Sequence, residues 1–262
     1  MTRKGIILAG GKGTRLYPLT VSVTKCILPI YDKPMIYYSL STLMLAGIND
    51  ILVISTPEDE VNFSNLMGDG SNYGISISYE VQPKPEGIAQ ALIIAEKYLN
   101  NSPSALILAD NIFYGDGLEN KLARSCMMDH NTVFSYLVDD PERFGICEVD
   151  ENNMVTSLVE KPESPKSNLA VTGLYFYDSN APYIARNIKP SDRGELEITD
   201  VNIEYMKSKK LYSEILDDKF SWIDAGTQSS FLEASNFVKN IEDRQGIKIC
   251  CPEEIAFKKG LI

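Results

Sequence analysis

The 262-residue sequence contains one histidine, His130, one tryptophan, and no apolar run long enough to span a membrane. His130 lies in the polar segment 127–131, where we expect an exposed side chain at a helix end rather than a catalytic group. A serine hydrolase is disfavoured because no G-x-S-x-G motif is present. The apolar stretch after Met1-Thr2-Arg3-Lys4 is too short for a secretory signal, so we expect a cytoplasmic protein without membrane attachment.

Cysteines and basic residues are also limited. The net charge of -11 disfavours a nucleic-acid-binding surface, so no nucleic-acid partner is expected. The five cysteines are odd in number and none is spaced as C-x-x-C, which disfavours both a disulfide framework and a zinc site. We interpret them as reduced thiols: Cys26, Cys126, Cys147, Cys250 and Cys251.

A glycine-rich loop, Gly10 to Arg15, follows the first apolar strand. Its glycines allow the backbone to approach an anion, and Lys12, Arg15 and Lys25 add positive charge, which together favour a polyphosphate ligand. The dinucleotide-binding motif G-x-G-x-x-G is excluded because Leu16 stands at its third glycine, and a P-loop is excluded because glycine follows Lys12. The loop therefore indicates a different phosphate chemistry.

The hydrophobic pattern predicts an α/β fold. Apolar β-rich runs at 5–9, 51–55 and 105–109 alternate with helical patterns at 34–46 and 88–99, which favours a mostly parallel central sheet flanked by helices. Pro34 stands at the expected first position of a helix and Gly47 beyond its end. Shorter β-rich pieces follow at 132–138, 144–149, 154–160 and 169–177, and a helix is predicted at 229–242, ended by Gly246. We expect one domain over residues 1–262, with two lobes.

A series of motifs in one order resembles the sugar nucleotidylyltransferases, and within them the glucose-1-phosphate thymidylyltransferase subgroup. The resemblance is carried by the glycine loop with Thr14-Arg15, Pro18, Lys25 and Leu28-Pro29, and by segments 29–38, 110–115, 160–162, 171–177 and 193–199. It implies a Rossmann-like nucleotidyltransferase fold in a homo-oligomer. The implied reaction is Mg²⁺-dependent transfer of a thymidylyl group from dTTP to glucose 1-phosphate, giving dTDP-glucose and pyrophosphate.

Two aspartates are the candidate metal ligands. Asp110 follows an apolar strand, at the edge where an open parallel sheet presents its ligands, and a carboxylate there can hold Mg²⁺ against phosphate oxygens. Asp224 matches the second aspartate that shares the metal in the resembled family. The alternative for Asp110 is that it only caps the following turn.

The resemblance also implies the remaining site residues. The implied catalytic cations are Arg15, Lys25, Lys161 and Arg193. The implied nucleotide-binding residues, in the N-terminal lobe, are Gly10, Gly11, Gly13, Thr14, Arg15, Lys25, Gln82, Gly87 and Asp110, with Gln82 and Gly87 at the base. The implied sugar-phosphate-binding residues, in the C-terminal lobe, are Gly145, Glu160, Lys161, Val171 and Arg193. Taken singly, each of these could instead belong to a solvated surface, a turn or a strand end.

Three departures from the resembled family stand out. Cys26 replaces a glutamine beside Lys25, so a polar contact near the nucleotide is expected to be missing, and Ala225 replaces a threonine, which we expect to change packing slightly. The sequence ends at Ile262, where relatives usually continue into helices that form a subunit contact and a feedback site. Three alternative functions remain: the same reaction with UTP or another hexose phosphate, a non-catalytic nucleotide-sugar sensor, and a nicotinamide-dependent reductase, which Pro18 disfavours.

Overall fold

The computed structural model describes residues 2–11 and 13–262, so the prediction for Lys12 lies outside the described residues. The strands are β1 Lys4–Ala9, β2 Pro29–Ile30, β3 Lys33–Pro34, β4 Asp50–Ser55, β5 Ser76–Val81, β6 Ser104–Leu108, β7 Asn111–Gly115, β8 Asn131–Leu137, β9 Gly145–Val149, β10 Val155–Glu160, β11 Leu169–Tyr177, β12 Leu211–Leu216 and β13 Phe220–Asp224. The helices are α1 Ile36–Leu45, α2 Glu60–Met67, α3 Gln90–Ile94, α4 Glu96–Leu99, α5 Leu118–Met127, α6 Ala181–Asn187, α7 Ile198–Lys207, α8 Gln228–Gln245 and α9 Pro252–Lys258.

The large central sheet has nine strands, and its first half is parallel. β6, β1, β4 and β5 lie side by side in that order, with Ile7 of β1 opposite both Val53 and Ile107. β11 then pairs antiparallel with β6, which joins β8, β9, β10 and β12 to the same sheet. The predicted α/β fold with a mostly parallel central sheet is confirmed, and every antiparallel pair of this large sheet includes a strand of its second half.

Hydrophobic cores lie on both faces of this sheet. Successive residues of β1 point to opposite faces, so Ile6 packs in the core beneath α3, α4, α6 and α7, whereas Ile7 packs in the core beneath α1, α2 and α5. A strand that is covered on both faces needs apolar residues at every position rather than at alternate ones. This explains why the strands of the first half are continuous apolar runs.

A separate two-stranded sheet brings distant parts of the chain together at the edge of the cores. β7 pairs antiparallel with β13, which places Asn111 opposite Asp224. The backbone N–H of Ala225 donates to the carbonyl of Asp110 at 2.9 Å and extends this pairing by one step. As a result, Asp110 immediately before β7 and Asp224 at the end of β13 lie at the same end of the small sheet.

Two helix predictions were partly wrong. The helix expected from Pro34 begins at Ile36, because Pro34 is held opposite Pro29 in the β2–β3 hairpin and the N–H of Met35 donates to Leu28. The helix expected over 88–99 is two short helices, α3 and α4, separated at Ala95, where ψ of -9° departs from the helical value. The predicted strand positions agree with the structure to within about one or two residues.

The helix ends marked by glycine were predicted correctly. Gly47 and Gly246 both have positive φ, and Gly246 caps α8 with its N–H on the carbonyl of Glu242. Thr227 caps the other end of α8 through a reciprocal pair of hydrogen bonds with Ser230. Among the described residues, no helix is both long and apolar enough to cross a bilayer.

Candidate active site

A cleft of about 490 Å³ opens where β6 ends, between the β7–β13 sheet and strands β9 to β11. Seven of the residues predicted for the site line it: Arg15, Asp110, Gly145, Glu160, Lys161, Val171 and Asp224. The cleft is therefore bordered on one side by the proposed metal and phosphate groups and on the other by the proposed sugar groups. His130 is not among its lining residues. It is half-buried beyond the end of α5, with its ring against Tyr212 at a centroid distance of 4.1 Å.

The glycine loop begins directly beneath Gln82. A Cβ atom at Gly10 would lie only 2.1 Å from Oε1 of Gln82, so this close packing requires glycine. Gly13 has φ of 61°, and its carbonyl accepts hydrogen bonds from the N–H of Leu16 and the hydroxyl of Thr20. Thr14, which is exposed, begins the 3₁₀ turn that carries Arg15.

The guanidinium group of Arg15 lies beside Gly226, just beyond the end of β13. A Cβ atom at Gly226 would lie 2.9 Å from both Nη2 of Arg15 and Oδ1 of Asp224, so glycine at 226 leaves room for these two groups to face each other. Among the described residues, no ion pair within 4.0 Å occupies Arg15. Its charge remains available for an anion.

Lys25 is paired with Asp110, and both side chains are largely buried. The Nζ atom of Lys25 donates to Oδ2 of Asp110. Burial alone would lower the pKa of Lys25, but the Asp110 carboxylate outweighs burial and raises that pKa above its ordinary value. Burial likewise opposes ionisation of Asp110, but Lys25 and then the side chain of Asn111 hold the Asp110 pKa below its usual range. The pair is therefore ionised at neutral pH.

Asp224 is the less satisfied of the two aspartates. Its side chain makes no hydrogen bond to any other described residue, and burial followed by the charge of Asp110 raises the Asp224 pKa to about 6. Two neighbouring carboxylates, one of them unpaired, are the type of donor set that a divalent cation stabilises. The described residues contain no group of three or more His, Cys, Asp or Glu side chains that could hold a metal. A metal here would complete its coordination with water or substrate phosphate oxygens.

The opposite wall carries a carboxylate surrounded by donors. Glu160 accepts a hydrogen bond from the hydroxyl of Thr199 at 2.6 Å and lies 3.4 Å from Nζ of Lys161 and 3.7 Å from Nη2 of Arg193. Gly145 is directly opposite Glu160 in the β9–β10 ladder, where a Cβ atom would be 3.2 Å from the Glu160 carboxylate. Arg193 does not line the cleft itself, and its principal partner is Glu197 at 2.8 Å.

Gln82 and Gly87 lie behind the glycine loop rather than in this cleft. The carboxamide nitrogen of Gln82 donates to Oε1 of Gln90 at 2.7 Å and to the carbonyl of Gly87 at 3.3 Å. Gly87 has φ of 108° and packs against the backbone of Leu196, which exchanges hydrogen bonds with Glu86 and Ala89. Since Leu196 immediately precedes Glu197 and α7, the predicted base-binding segment is fixed to the part of the chain that lines the cleft near Glu160.

The chain as a whole matches a known family. A family model described as nucleotidyl transferase matches residues 4–241. The chain belongs to the nucleotidyl transferase family. A glucose-1-phosphate thymidylyltransferase from Xanthomonas campestris pv. campestris is 54% identical over 261 residues, which is 99% of this chain and 88% of that protein.

Solved structures agree with this assignment. A Bacillus anthracis protein solved in complex with sucrose superposes with a TM-score of 0.82 at 41% identity, covering 90% of this chain and 95% of that one. A UDP-glucose pyrophosphorylase complexed with UDP-glucose has a TM-score of 0.80 at 27% identity, covering 92% of this chain and all of that one. The nucleotidyltransferase fold implied by the motif series is confirmed. Enzymes of this family generally use a divalent metal ion.

Sequence reasoning missed several residues that line the cleft of this nucleotidyltransferase. Two of them, Asn111 and Trp222, are joined by a hydrogen bond in which Nε1 of Trp222 donates to Oδ1 of Asn111 at 2.7 Å. Both stand inside the motifs that contain the two aspartates, and that proximity was the available signal. Arg143 and Phe144 also line the cleft, and their position directly before the predicted residue Gly145 was the available signal. The remaining missed lining residues include Glu142, Tyr175, Ile198, Thr199 and Asn202.

The structure also locates the two substituted family positions. Cys26 is fully buried in the core beneath α1, and burial raises its thiol pKa to about 12, so it is an inert apolar side chain. Cys26 does not line the cleft of this nucleotidyltransferase. Ala225 is fully buried in the small core beneath α8, next to the aspartate that it follows.

Proposed function

We propose that this nucleotidyltransferase transfers a thymidylyl group from dTTP to the phosphate of glucose 1-phosphate, giving dTDP-glucose and pyrophosphate. The observation that carries the proposal is that one and the same cleft is lined by Arg15, Asp110 and Asp224 and by Glu160 and Lys161. One wall suits a triphosphate and the other a phosphorylated sugar. The high identity with the Xanthomonas thymidylyltransferase over almost the whole chain supports the same reaction.

This reaction requires charge control and alignment rather than proton transfer. The phosphate of the acceptor is ionised near neutral pH, so its oxygen is a nucleophile without a general base. Two anions must nevertheless approach each other, and we assign Arg15 and Lys25 to the triphosphate and Lys161 and Arg193 to the acceptor phosphate. Fixed cations at these positions offset the repulsion and stabilise charge on the departing pyrophosphate.

We propose Mg²⁺ as the divalent ion, held by Asp110 and Asp224. Mg²⁺ is commonly bound by one or two carboxylates together with substrate phosphates, which fits the two carboxylates found here. When bound, the ion neutralises charge on the phosphate oxygens. Lys25 contributes by keeping Asp110 ionised, and so keeps one ligand ready at neutral pH.

We assign the remaining substrate contacts to backbone groups and to uncharged or acidic side chains. We assign the backbone of Gly10, Gly11, Gly13 and Thr14 to the triphosphate and the Gln82–Gly87 segment to the base. Gly145, Glu160 and Val171 are assigned to the hexose, whose hydroxyls can donate to the Glu160 carboxylate. In this assignment residues 1–262 form one domain, with a nucleotide-binding N-terminal lobe and a sugar-binding C-terminal lobe.

A second candidate is the same reaction with UTP. The structural likeness to a UDP-glucose pyrophosphorylase favours it, and a single methyl group discriminates weakly between the two bases. The substrates proposed for either reaction are cytoplasmic metabolites, so we propose a cytoplasmic enzyme. We also propose a homo-oligomer, which light scattering coupled to size-exclusion chromatography tests directly.

Pyrophosphate release from the purified protein tests the proposed function. dTTP and UTP are each paired with glucose 1-phosphate and glucosamine 1-phosphate, with Mg²⁺ or with a chelator. We expect Mg²⁺-dependent release that is fastest for dTTP with glucose 1-phosphate. Faster release with UTP would support the second candidate, and nucleotide-sugar binding without release from any pair would instead indicate a sensor.

A further inference from the structure

Asn111 connects the two walls of the cleft through one buried carboxamide. It follows Asp110 directly, is the first residue of β7, and is only 3% exposed. Its Nδ2 atom donates to Oδ1 of Asp110 at 3.0 Å. Its Oδ1 atom accepts from Nε1 of Trp222 at 2.7 Å and from the backbone N–H of Gly173 at 3.0 Å.

The sheet is interrupted to make this arrangement possible. The register between β11 and β8 shifts between Val171 and Tyr175, so the strand pairing before Gly173 is not in register with the pairing after it. The N–H of Gly173 bonds to Asn111 instead. A Cβ atom at Gly173 would lie 2.7 Å from the Asn111 carboxamide, so the close approach requires glycine.

The partners of Asn111 also determine which way its carboxamide points. Two N–H groups require the oxygen on one side, and the Asp110 carboxylate requires the NH₂ group on the other, so a flipped amide would lose all three bonds. With Lys25 on Oδ2 and Asn111 on Oδ1, each oxygen of Asp110 has one fixed donor. The orientation of this carboxylate is thereby set by two buried groups.

Trp222 lies on β13 and packs against the residue that precedes Gly145, which is one of the residues assigned to the hexose. Its ring packs edge-on against Phe144 at a centroid distance of 5.2 Å and against Tyr136 at 6.1 Å. The hydrogen bond to Asn111 adds a directional contact, which fixes where the indole N–H points.

We propose that Asn111 is a positioning residue that orients the Asp110 carboxylate and the Trp222 indole together, and so couples the metal-binding side of the cleft to its sugar-binding side. This inference rests on the proposed function for the identity of the two sides. Asn111 acts through its neighbours. A residue that only joined β7 to β11 would contribute to folding and leave the kinetics of the folded protein unchanged.

Three variants separate the contributions, and Trp222 is the reporter because it is the only tryptophan. Asn111→Ala removes all three bonds. Trp222→Phe keeps the bond to Asp110 but removes the indole N–H, and Asn111→Asp keeps the acceptor for Trp222 while removing the donor to Asp110. Each variant is compared with the wild type in melting temperature, Mg²⁺ dependence of the rate, and KM for glucose 1-phosphate. Tryptophan emission is measured for the wild type and the two Asn111 variants.

For Asn111→Ala we expect Trp222 emission at longer wavelength. We also expect the half-saturating Mg²⁺ concentration to rise about 10- to 100-fold, because residues that hydrogen-bond to a metal ligand orient that ligand. Trp222→Phe should raise KM for glucose 1-phosphate while its Mg²⁺ midpoint stays within about twofold of the wild type. Asn111→Asp should keep the wild-type emission but change the Mg²⁺ midpoint.

The proposal is overturned if folded Asn111→Ala has the emission and Mg²⁺ midpoint of the wild type, or loses only melting temperature. If Asn111→Ala does not fold, Asn111→Asp decides, and a Mg²⁺ midpoint within about twofold of the wild type overturns the proposal. Failure of the proposed function gives a different result, because the wild type would then release no pyrophosphate. In that case Mn²⁺ binding, followed by the spin resonance of free Mn²⁺, still tests the role: Kd should rise in Asn111→Ala and stay unchanged in Trp222→Phe.

Discussion

Lys25 forms a largely buried ion pair with Asp110, which lines the cleft, and the two side chains are 14% and 11% exposed. Removing one partner of such a pair leaves the other charge uncompensated, which is more damaging than losing an exposed pair. This relationship makes Lys25 important to both the charge and the stability of the site.

Lys25→Met should lower kcat about 100-fold or more, because a fixed donor to the reacting phosphates is lost. It should also reverse the direction in which the contribution of Asp110 to folding stability changes with pH. In the wild type the lowered pKa stabilises the fold above the unfolded pKa of about 3.9, and that contribution is lost on acidification. In the variant, burial dominates and raises the pKa, so stability falls as pH rises. Melting temperatures measured from pH 4 to pH 8 should diverge between the two proteins with increasing pH.

The control for this variant is Lys239→Met, which removes an exposed lysine of α8 paired with Asp243. It should leave both kcat and the pH dependence of melting unchanged. A Lys25→Met protein with wild-type kcat would refute the phosphate role of Lys25. If the melting temperatures of the variant and the wild type changed with pH in the same way, the pairing of Lys25 with Asp110 would be refuted.

Asp224→Asn should stabilise the metal-free protein at neutral pH while abolishing turnover. Burial and then the charge of Asp110 raise the folded pKa of Asp224 from its ordinary value of 3.8 to about 6, so the wild type loses stability as pH rises between these values. A neutral amide avoids that loss, which is at most about 3 kcal/mol for two pKa units. Urea unfolding in chelator at pH 4 and pH 7.5 should show a gain only at the higher pH.

Asp218→Asn, in the exposed turn before β13, is the matched control and should change neither stability nor rate. Equal stability of Asp224→Asn and wild type at pH 7.5 would show that burial and Asp110 do not make ionised Asp224 destabilising. Wild-type turnover in Asp224→Asn would exclude it as a metal ligand.

Gly10→Ala should damage nucleotide binding more than Gly11→Ala. A Cβ atom at Gly10 would be 2.1 Å from Oε1 of Gln82 and must displace that side chain, whereas a Cβ atom at Gly11 would make ordinary contacts of 3.6 Å with Lys25. We expect KM for dTTP to rise about 10-fold or more in Gly10→Ala, the effect of losing one or two hydrogen bonds to the base. Initial-rate kinetics with varied dTTP measure this, and a larger effect in Gly11→Ala contradicts the assigned role of Gln82.

Arg193→Gln should raise KM for glucose 1-phosphate about 10- to 100-fold, the range expected for loss of a charge-assisted hydrogen bond. KM for dTTP should change much less, because Arg193 lies among Glu160, Glu195 and Glu197 on the sugar side. Arg186→Gln, which breaks the exposed ion pair with Glu96, is the control. Equal increases in both KM values would place Arg193 elsewhere in the reaction.

The sequence predicted those parts of the site that depend on local pattern. The glycine loop, the strand before Asp110 and the glycine ends of α1 and α8 are encoded by neighbouring residues, and their positions agree with the structure. The Asn111 connection could not be predicted, because it depends on the pairing of β7 with β13 and on a register shift in β11. Long-range pairing of this kind leaves no periodic signal along the chain.

The start of α1 could not be predicted from the sequence for a different reason. Proline is favoured at a first helical position, so Pro34 was a reasonable start signal, but the hairpin formed with Pro29 determined its conformation. Cys26 was expected to leave a polar contact missing, because it stands where the resembled family has glutamine. The 3₁₀ turn over Lys25–Ile27 places Lys25 against Asp110 and Cys26 in the core, and turn geometry of this kind is not evident from residue type alone.

Transfer of label from dTTP tests the central claim most directly. The wild-type protein is incubated with Mg²⁺, glucose 1-phosphate and dTTP labelled at either the α- or the γ-phosphorus, and the products are separated. Attack by the sugar phosphate on the α-phosphorus predicts α-label in a thymidine diphosphate sugar and γ-label in pyrophosphate, in equal amounts. Release of γ-label as inorganic phosphate, or no α-label in a sugar product, would contradict the proposed reaction.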